Sequence, residues 1–303
     1  MTKSQQLLAR FKLPQQDAHD LPTSRKRFAD GGQYRVEIPS TEGPRVMEVV
    51  LQSAAEYRVP VHRVSQGSGI MLQTDDEIRE MVQLGRQNGV EVCLFVGPRA
   101  SWDVGSQAAS ASGRVVGPSL RGADQLAFGI EDVLHGAKLG ITSVLVADLG
   151  QLMLLGRMKQ QGDLPPDFVL KTSVTLAAAN PASARLLEDL GATSLNLPVD
   201  LTLAQIAAIR QTIDAAIDFY IESPDDFGGA VRHYEIPEMI RVAAPIYFKF
   251  GLRNAPGLYP CGQHLENTVF ALSRERVRRA AIGLGILQRY APEAIASPIG
   301  VSV

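Results

Sequence analysis

The sequence predicts an α/β fold: a single (β/α)8 barrel of the TIM type, with a polar N-terminal arm and C-terminal helices. Three observations predict it. Eight short apolar runs recur along the chain, and a helical pattern follows nearly every one, which argues for parallel pairing. The 303 residues are enough for eight such units. The first run is followed by "PSTEGPRV", not by the Gly-rich phosphate loop that opens most doubly wound sheets, the runner-up architecture.

In chain order, residues 1–30 are polar, end within "TSRKRFADGG", and read as an arm or a lid; residues 31–303 read as the barrel domain. The strands are expected at Arg35–Ile38, Val61–Val64, Glu91–Val96, Ser143–Val146, Phe168–Lys171, Ser194–Leu197, Asp218–Ile221 and Ile246–Phe250. Helices are expected at Val46–Tyr57, Thr74–Gln87, Ala123–Leu139, Pro181–Leu190, Leu203–Thr212 and Pro237–Val242. Thr74 and Glu77 have capping-box spacing, and Gly140 and Gly191 stand where a left-handed helix stop belongs. The small-residue stretch Ser106–Gly113 reads as a flexible loop or a cover, and the basic run Arg274–Arg279 as a solvated helix face.

Composition narrows the function classes. Hydrophobic residues make up 45% and charged residues 20%, and the net charge of −2 gives no basic excess for nucleic acid. No stretch approaches the roughly 20 apolar residues that span a bilayer, and the N-terminus has no signal-peptide pattern, so a cytoplasmic protein with no membrane partner is expected. Two cysteines, Cys93 and Cys261, suggest neither a disulfide framework nor an iron–sulfur cluster. The apolar tail from Ala296 suits a second subunit or the bottom of the barrel, which leaves a homo-oligomer open.

In a parallel barrel the chemistry belongs at the C-terminal strand ends. There the sequence offers Lys171, Glu222 and Lys249, with Asp148 after the fourth strand. Glu222 and Asp148 are candidate general bases, and Lys249 and Lys171 candidate oxyanion clamps or amine nucleophiles. Arg63, Arg99 and Arg253 are candidates for holding a substrate anion, with Gln66 and Asn196 as further substrate-binding residues. No cofactor is expected. A divalent metal is a weaker alternative, with Glu222, His233 and His264 as its candidate ligands.

The stretch "KTSVTLAAANPASARLLEDLGATSLNLPVDLTLAQIAAI", Lys171 to Ile209, resembles the middle of the U32 peptidase-like (collagenase-like) proteins. "GAKLGITSVLVADLGQLMLL", Gly136 to Leu155, is similar to the preceding segment of that family, and "FKFGLR", Phe248 to Arg253, to its lysine-containing strand end. The resemblance implies a barrel with Lys249 and Arg253 on a basic strand end. Where the family carries a His-Gly and clustered cysteines, this chain reads "IESPDDFGG", with Glu222 near the histidine position, so a cluster is not carried over.

The expected function is that of a U32-like barrel enzyme, a hydrolase acting on an amide or other carbonyl bond of a small anionic or peptide substrate. Two alternatives use the same sequence: a Schiff-base lyase or aldolase working through Lys249 or Lys171, and a non-catalytic partner subunit.

Overall fold

The structure, a computed structural model, describes residues 2–10, 20–103 and 105–300. After helix α1 (Lys3–Arg10) the chain runs β1 (Tyr34–Pro39), α2 (Pro44–Tyr57), β2 (Arg63–Gln66), α3 (Asp75–Asn88) and β3 (Glu91–Phe95). A short α4 (Ser106–Ala109) precedes α5 (Gly122–Lys138), β4 (Ser143–Val146), α6 (Leu149–Gln161), β5 (Val169–Thr172) and α7 (Pro181–Asp189). The rest is β6 (Ser194–Asn196), α8 (Leu203–Thr212), β7 (Ala216–Glu222), α9 (Ile236–Ala243), β8 (Ile246–Phe250) and α10 (Glu266–Tyr290). The strands pair in sequence order, all parallel, and β8 closes onto β1 with Lys249 opposite Glu37. The predicted (β/α)8 barrel is therefore the fold, with each strand within two residues of its expected bounds.

Local chemistry accounts for the element ends. Thr74 and Glu77 form the expected capping box at α3. Gly140 and Gly191 adopt φ of 102° and 107°, a backbone that side chains resist, and so stop α5 and α7. Helix α6 escaped the sequence reading because its apolar residues do not keep to one face: Leu152 and Leu155 are buried but Leu149 is exposed. At the C-terminus the described residues form one long helix, α10, rather than several.

The basic run on α10 is not a wholly solvated face. Arg276 is buried, and its Nη1 approaches the Ser40 carbonyl at 3.5 Å. The arm also has a defined place in its last ten residues. Ser24 donates to the Ala244 carbonyl (2.5 Å), Lys26 to that of Ile213 (2.6 Å), and Phe28 meets Tyr247 edge-on at 5.3 Å. These contacts lie at the start of the strands, opposite the end where the expected site residues gather.

The outward strand faces are aliphatic: Val36, Ile38, Val64, Val144, Leu170 and their neighbours pack under the helices in one continuous core. The inward face is different. Residues that register across the sheet include Glu37, Arg63, Glu91, Lys171, Asp218 and Lys249, so the barrel centre is filled largely by charge. Barrel interiors are usually dominated by branched aliphatic side chains.

Candidate functional site

The charged interior is paired throughout. Arg63 Nη1 donates to Asp218 Oδ1 (2.9 Å) and lies 3.3 Å from Glu37 Oε2, while its Nε donates to Glu91 Oε1 (2.8 Å). The Arg63 guanidinium also stacks on Tyr247, 3.7 Å from the ring centre. Lys171 Nζ donates to Glu37 and stands 3.8 Å from Asp218. Lys249 Nζ stands 3.5 Å from Glu37 Oε1 and 4.2 Å from the Tyr220 ring centre. Burial alone would raise the Glu37 carboxyl, but Lys171, Lys249 and Arg63 outweigh it and hold the group well below the usual carboxylate range. Three carboxylates, Glu37, Glu91 and Asp218, thus face three cations, Arg63, Lys171 and Lys249.

Above this layer, at the C-terminal strand ends, lies a cavity of about 430 Å³. Lys249, Ser65 and Asn196 contribute to its floor, and Phe95, Tyr220, Phe227 and Tyr259 to its walls. The segment after β3 supplies Ser101, Trp102, Ala108, Arg114 and Pro118. The Ser106–Gly113 stretch, read as a loop or cover, therefore includes α4 and sits over the cavity. Ser65 Oγ donates to Glu37 Oε1 (2.6 Å), which ties the cavity floor to the ion network beneath. Burial raises the Tyr220 phenol above its ordinary range, so it stays protonated.

Of the residues expected to act, the structure brings together Lys249, Arg99, Gln66 and Asn196, all of which line the cavity. Gln66 spends both ends of its amide on its own loop, accepting from Gly69 N (2.9 Å) and donating to Gly69 O (3.2 Å). Arg99 stacks between Phe95 and Trp102, with its guanidinium carbon 3.5 and 4.0 Å from the ring centres.

The other candidates stand elsewhere, each for a physical reason. Lys171 is fully buried in the ion network and does not line the cavity. Arg63 is buried one layer down, paired with Asp218, and does not line the cavity. Glu222 is turned away by an irregularity in β7: two residues, Ile221 and Glu222, span the interval that β8 covers in one step, so Glu222 pairs with Phe250 and faces the helices. There it meets His233 Nε2 (3.4 Å) and Arg279 Nη1 (3.4 Å) and accepts from Arg253 N (3.1 Å). Asp148 caps α6 through Gln151 N (2.8 Å), and its other oxygen accepts from Leu120 N (3.0 Å). Arg253 is exposed and faces Asp225 at 3.7 Å. His233 adjoins Glu222, but His264 does not complete a metal set with them. No cluster of three His, Cys, Asp or Glu suited to a metal occurs among the described residues.

Several residues that shape the site went unread. Glu37 and Asp218 sit inside strands, where a sequence reading looks for apolar residues. The signal was the alternation "YRVEIP", in which Arg35 and Glu37 share one face. Tyr259 comes from the loop after β8, and its hydroxyl bonds to Ser40 Oγ. Glu42 is half-buried and holds the β2 loop through Gly67 N (2.7 Å), Ser68 N (3.1 Å) and Ser68 Oγ (2.6 Å). Asp226 is the carboxylate among the lining residues and lies on the exposed rim.

A closed parallel barrel with a cavity at its C-terminal end belongs to a broad class of α/β barrel proteins. Within that class, the model of Peptidase family U32 matches residues 123–223, about a third of the chain. The match includes both central stretches that carry the sequence resemblance and ends before the β8 strand end. The U32 peptidase Mk0906 has a similar structure at 15% identity, covering 74% of this chain and 93% of that one, with a TM-score of 0.43. A protein named for copper homeostasis, CutC from Streptococcus agalactiae, aligns at 13% identity over 71% of this chain and 98% of its own, with a TM-score of 0.48. Thiamine phosphate pyrophosphorylase from Pyrococcus furiosus aligns at 11% identity over 84% and 98%, with a TM-score of 0.43. No curated protein sequence matches the chain significantly. No helix among the described residues is long and apolar enough to cross a membrane.

Proposed function

We propose that the chain is an enzyme, a divergent and cysteine-poor relative of the U32 peptidases, that acts at a carbonyl carbon of a small anionic substrate held over Lys249. The observation that carries this reading is the position of Lys249: a buried cation on the cavity floor, steadied by Glu37 at 3.5 Å and the Tyr220 ring at 4.2 Å. The Glu37 carboxylate gives the Lys249 side chain a fixed counter-charge. An ammonium polarises a carbonyl and stabilises the oxyanion that forms from it, whereas an amine nucleophile must be neutral. A lysine paired in this way suits the oxyanion role, and hydrolysis of an amide or related bond is the reading proposed. The base that activates water is not Glu222 or Asp148, which face away. Asp226 on the rim takes that role in this reading.

The test is turnover of a panel of N-acyl amino acids and dipeptides, read as release of free amine. Lys249→Met is expected to lower turnover by about a hundredfold or more, the usual cost of losing an oxyanion donor, and Asp226→Asn to lower it in parallel. Turnover that survives Lys249→Met would sink the proposal. A substrate adduct trapped on Lys249 by borohydride would replace it with the lyase reading.

A further inference from the structure

Arg99 is 7% exposed, yet no carboxylate among the described residues forms an ion pair with it. Its Nη2 donates to the Gly67 carbonyl (2.6 Å), and its Nε has no hydrogen-bond partner. Burial pulls the guanidinium down to about 10; Tyr259, Glu42 and Asp132 counter this only by longer-range attraction. A buried cation without a counter-ion is costly, and the two aromatic faces that hold it offset only part of that cost. The contrast with the neighbouring layer is direct. Arg63, equally buried, is matched by three carboxylates. Arg99 lines the cavity.

A second side chain lacks a partner in the same cavity. Asn196 is 3% exposed, lines the floor, and leaves its Oδ1 without a hydrogen bond. A carboxamide there accepts from an N–H once it turns about its last torsion. Lys249 supplies a third polar contact suited to a carbonyl oxygen. Phe227, Tyr220 and Tyr259 offer apolar surface for what remains of the ligand.

We infer that Arg99 is the anion-recognition residue of the cavity and that the ligand is a carboxylate-bearing amide, an N-acyl amino acid or the C-terminal end of a short peptide. Its carboxylate meets Arg99, its N–H meets Asn196 and its carbonyl meets Lys249. The planar fork of a guanidinium that lies over the Phe95 and Trp102 rings suits a carboxylate, which it can meet through two parallel hydrogen bonds. The volume of about 430 Å³ suits a molecule of that size. This assignment rests on the same cavity as the proposed function but requires no turnover.

The experiment is calorimetric titration of the intact chain, as wild type and as Arg99→Gln, with N-acetylphenylalanine, its methyl ester and phenyl phosphate. The wild type is expected to bind the acid about tenfold or more tightly than the ester, because the ester leaves Arg99 unpaired. Arg99→Gln is expected to bind the two alike, and Arg99→Lys to keep part of the preference. Equal binding of acid and ester by the wild type, or no binding of either, overturns the inference whatever the variants do. Tighter binding of phenyl phosphate overturns the carboxylate class. Acid preference with no turnover of any amide would leave this assignment standing and sink the proposed reaction alone.

Discussion

Glu37 Oε1 and Lys249 Nζ face each other across the seam where β8 closes onto β1, 3.5 Å apart and buried. Glu37 is shared with Lys171 and Arg63, so it is the carboxylate on which three cations converge. Glu37→Gln would leave those cations short of one negative charge. Breaking a buried ion set in this way costs about 3–5 kcal/mol. Because the folded protein holds this carboxyl low, its stabilisation is complete at neutral pH and fades as pH falls below about 4. Urea denaturation at pH 7 checks the loss, and adding Lys171→Met should restore part of it. A double variant no more stable than Glu37→Gln alone would count against the pairing.

Glu222 should matter to the fold and not to the site. It bonds to Arg253 N, His233 and Arg279 on the helix side of β7. Glu222→Gln is expected to cost about 1–2 kcal/mol through weakened charge-assisted bonds. Binding of N-acetylphenylalanine should stay within about threefold of the wild type. A collapse of binding with the melting temperature intact would restore Glu222 to the active site.

Asp132 gives a pH signature of the opposite sign. It accepts from Gly97 N (3.1 Å), and burial pushes its carboxyl up to about 6. The folded state then holds the proton more tightly than the unfolded chain, so this group loses stability for the protein as pH rises from about 4 to 6. Asp132→Asn keeps an acceptor for Gly97 and removes the charge. Thermal melts should find the variant more stable than the wild type at pH 8 and no more stable at pH 4.5. An equal difference at both values would rule this out.

Gly67 leaves room for an aromatic wall. A Cβ built there would run into the Tyr259 ring. Gly67→Ala should push Tyr259 off Ser40 and weaken N-acetylphenylalanine binding by about tenfold, a loss of roughly 1.4 kcal/mol. The double change with Tyr259→Leu relieves the clash. If the single and double variants bind alike, steric displacement is not the cause.

How much was legible follows from which residues announced themselves. The barrel could be read because strand and helix alternation is a local signal, and Gly140 and Gly191 mark their own stops. Lys249, Arg99, Gln66 and Asn196 reached the cavity because each lies at or just beyond a strand end, where the geometry of the fold points. Glu222 was misread because a one-residue slip in β7 reverses the face of a side chain, and only the pairing with Phe250 reveals it. Asp148 was misread because a helix cap and a catalytic carboxylate use the same residue type. Glu37 was missed because an acid within a strand looks like a solvent-facing position until the sheet closes on itself.

That closure has a thermal consequence. The heat capacity of unfolding rises with the apolar surface exposed and falls with the polar surface. A barrel centred on Glu37, Arg63, Lys171, Asp218 and Lys249 releases polar groups to water where an aliphatic centre would release hydrocarbon. Its stability should therefore change less with temperature than that of an aliphatic-centred barrel of equal length. It should also be less prone to weaken in the cold.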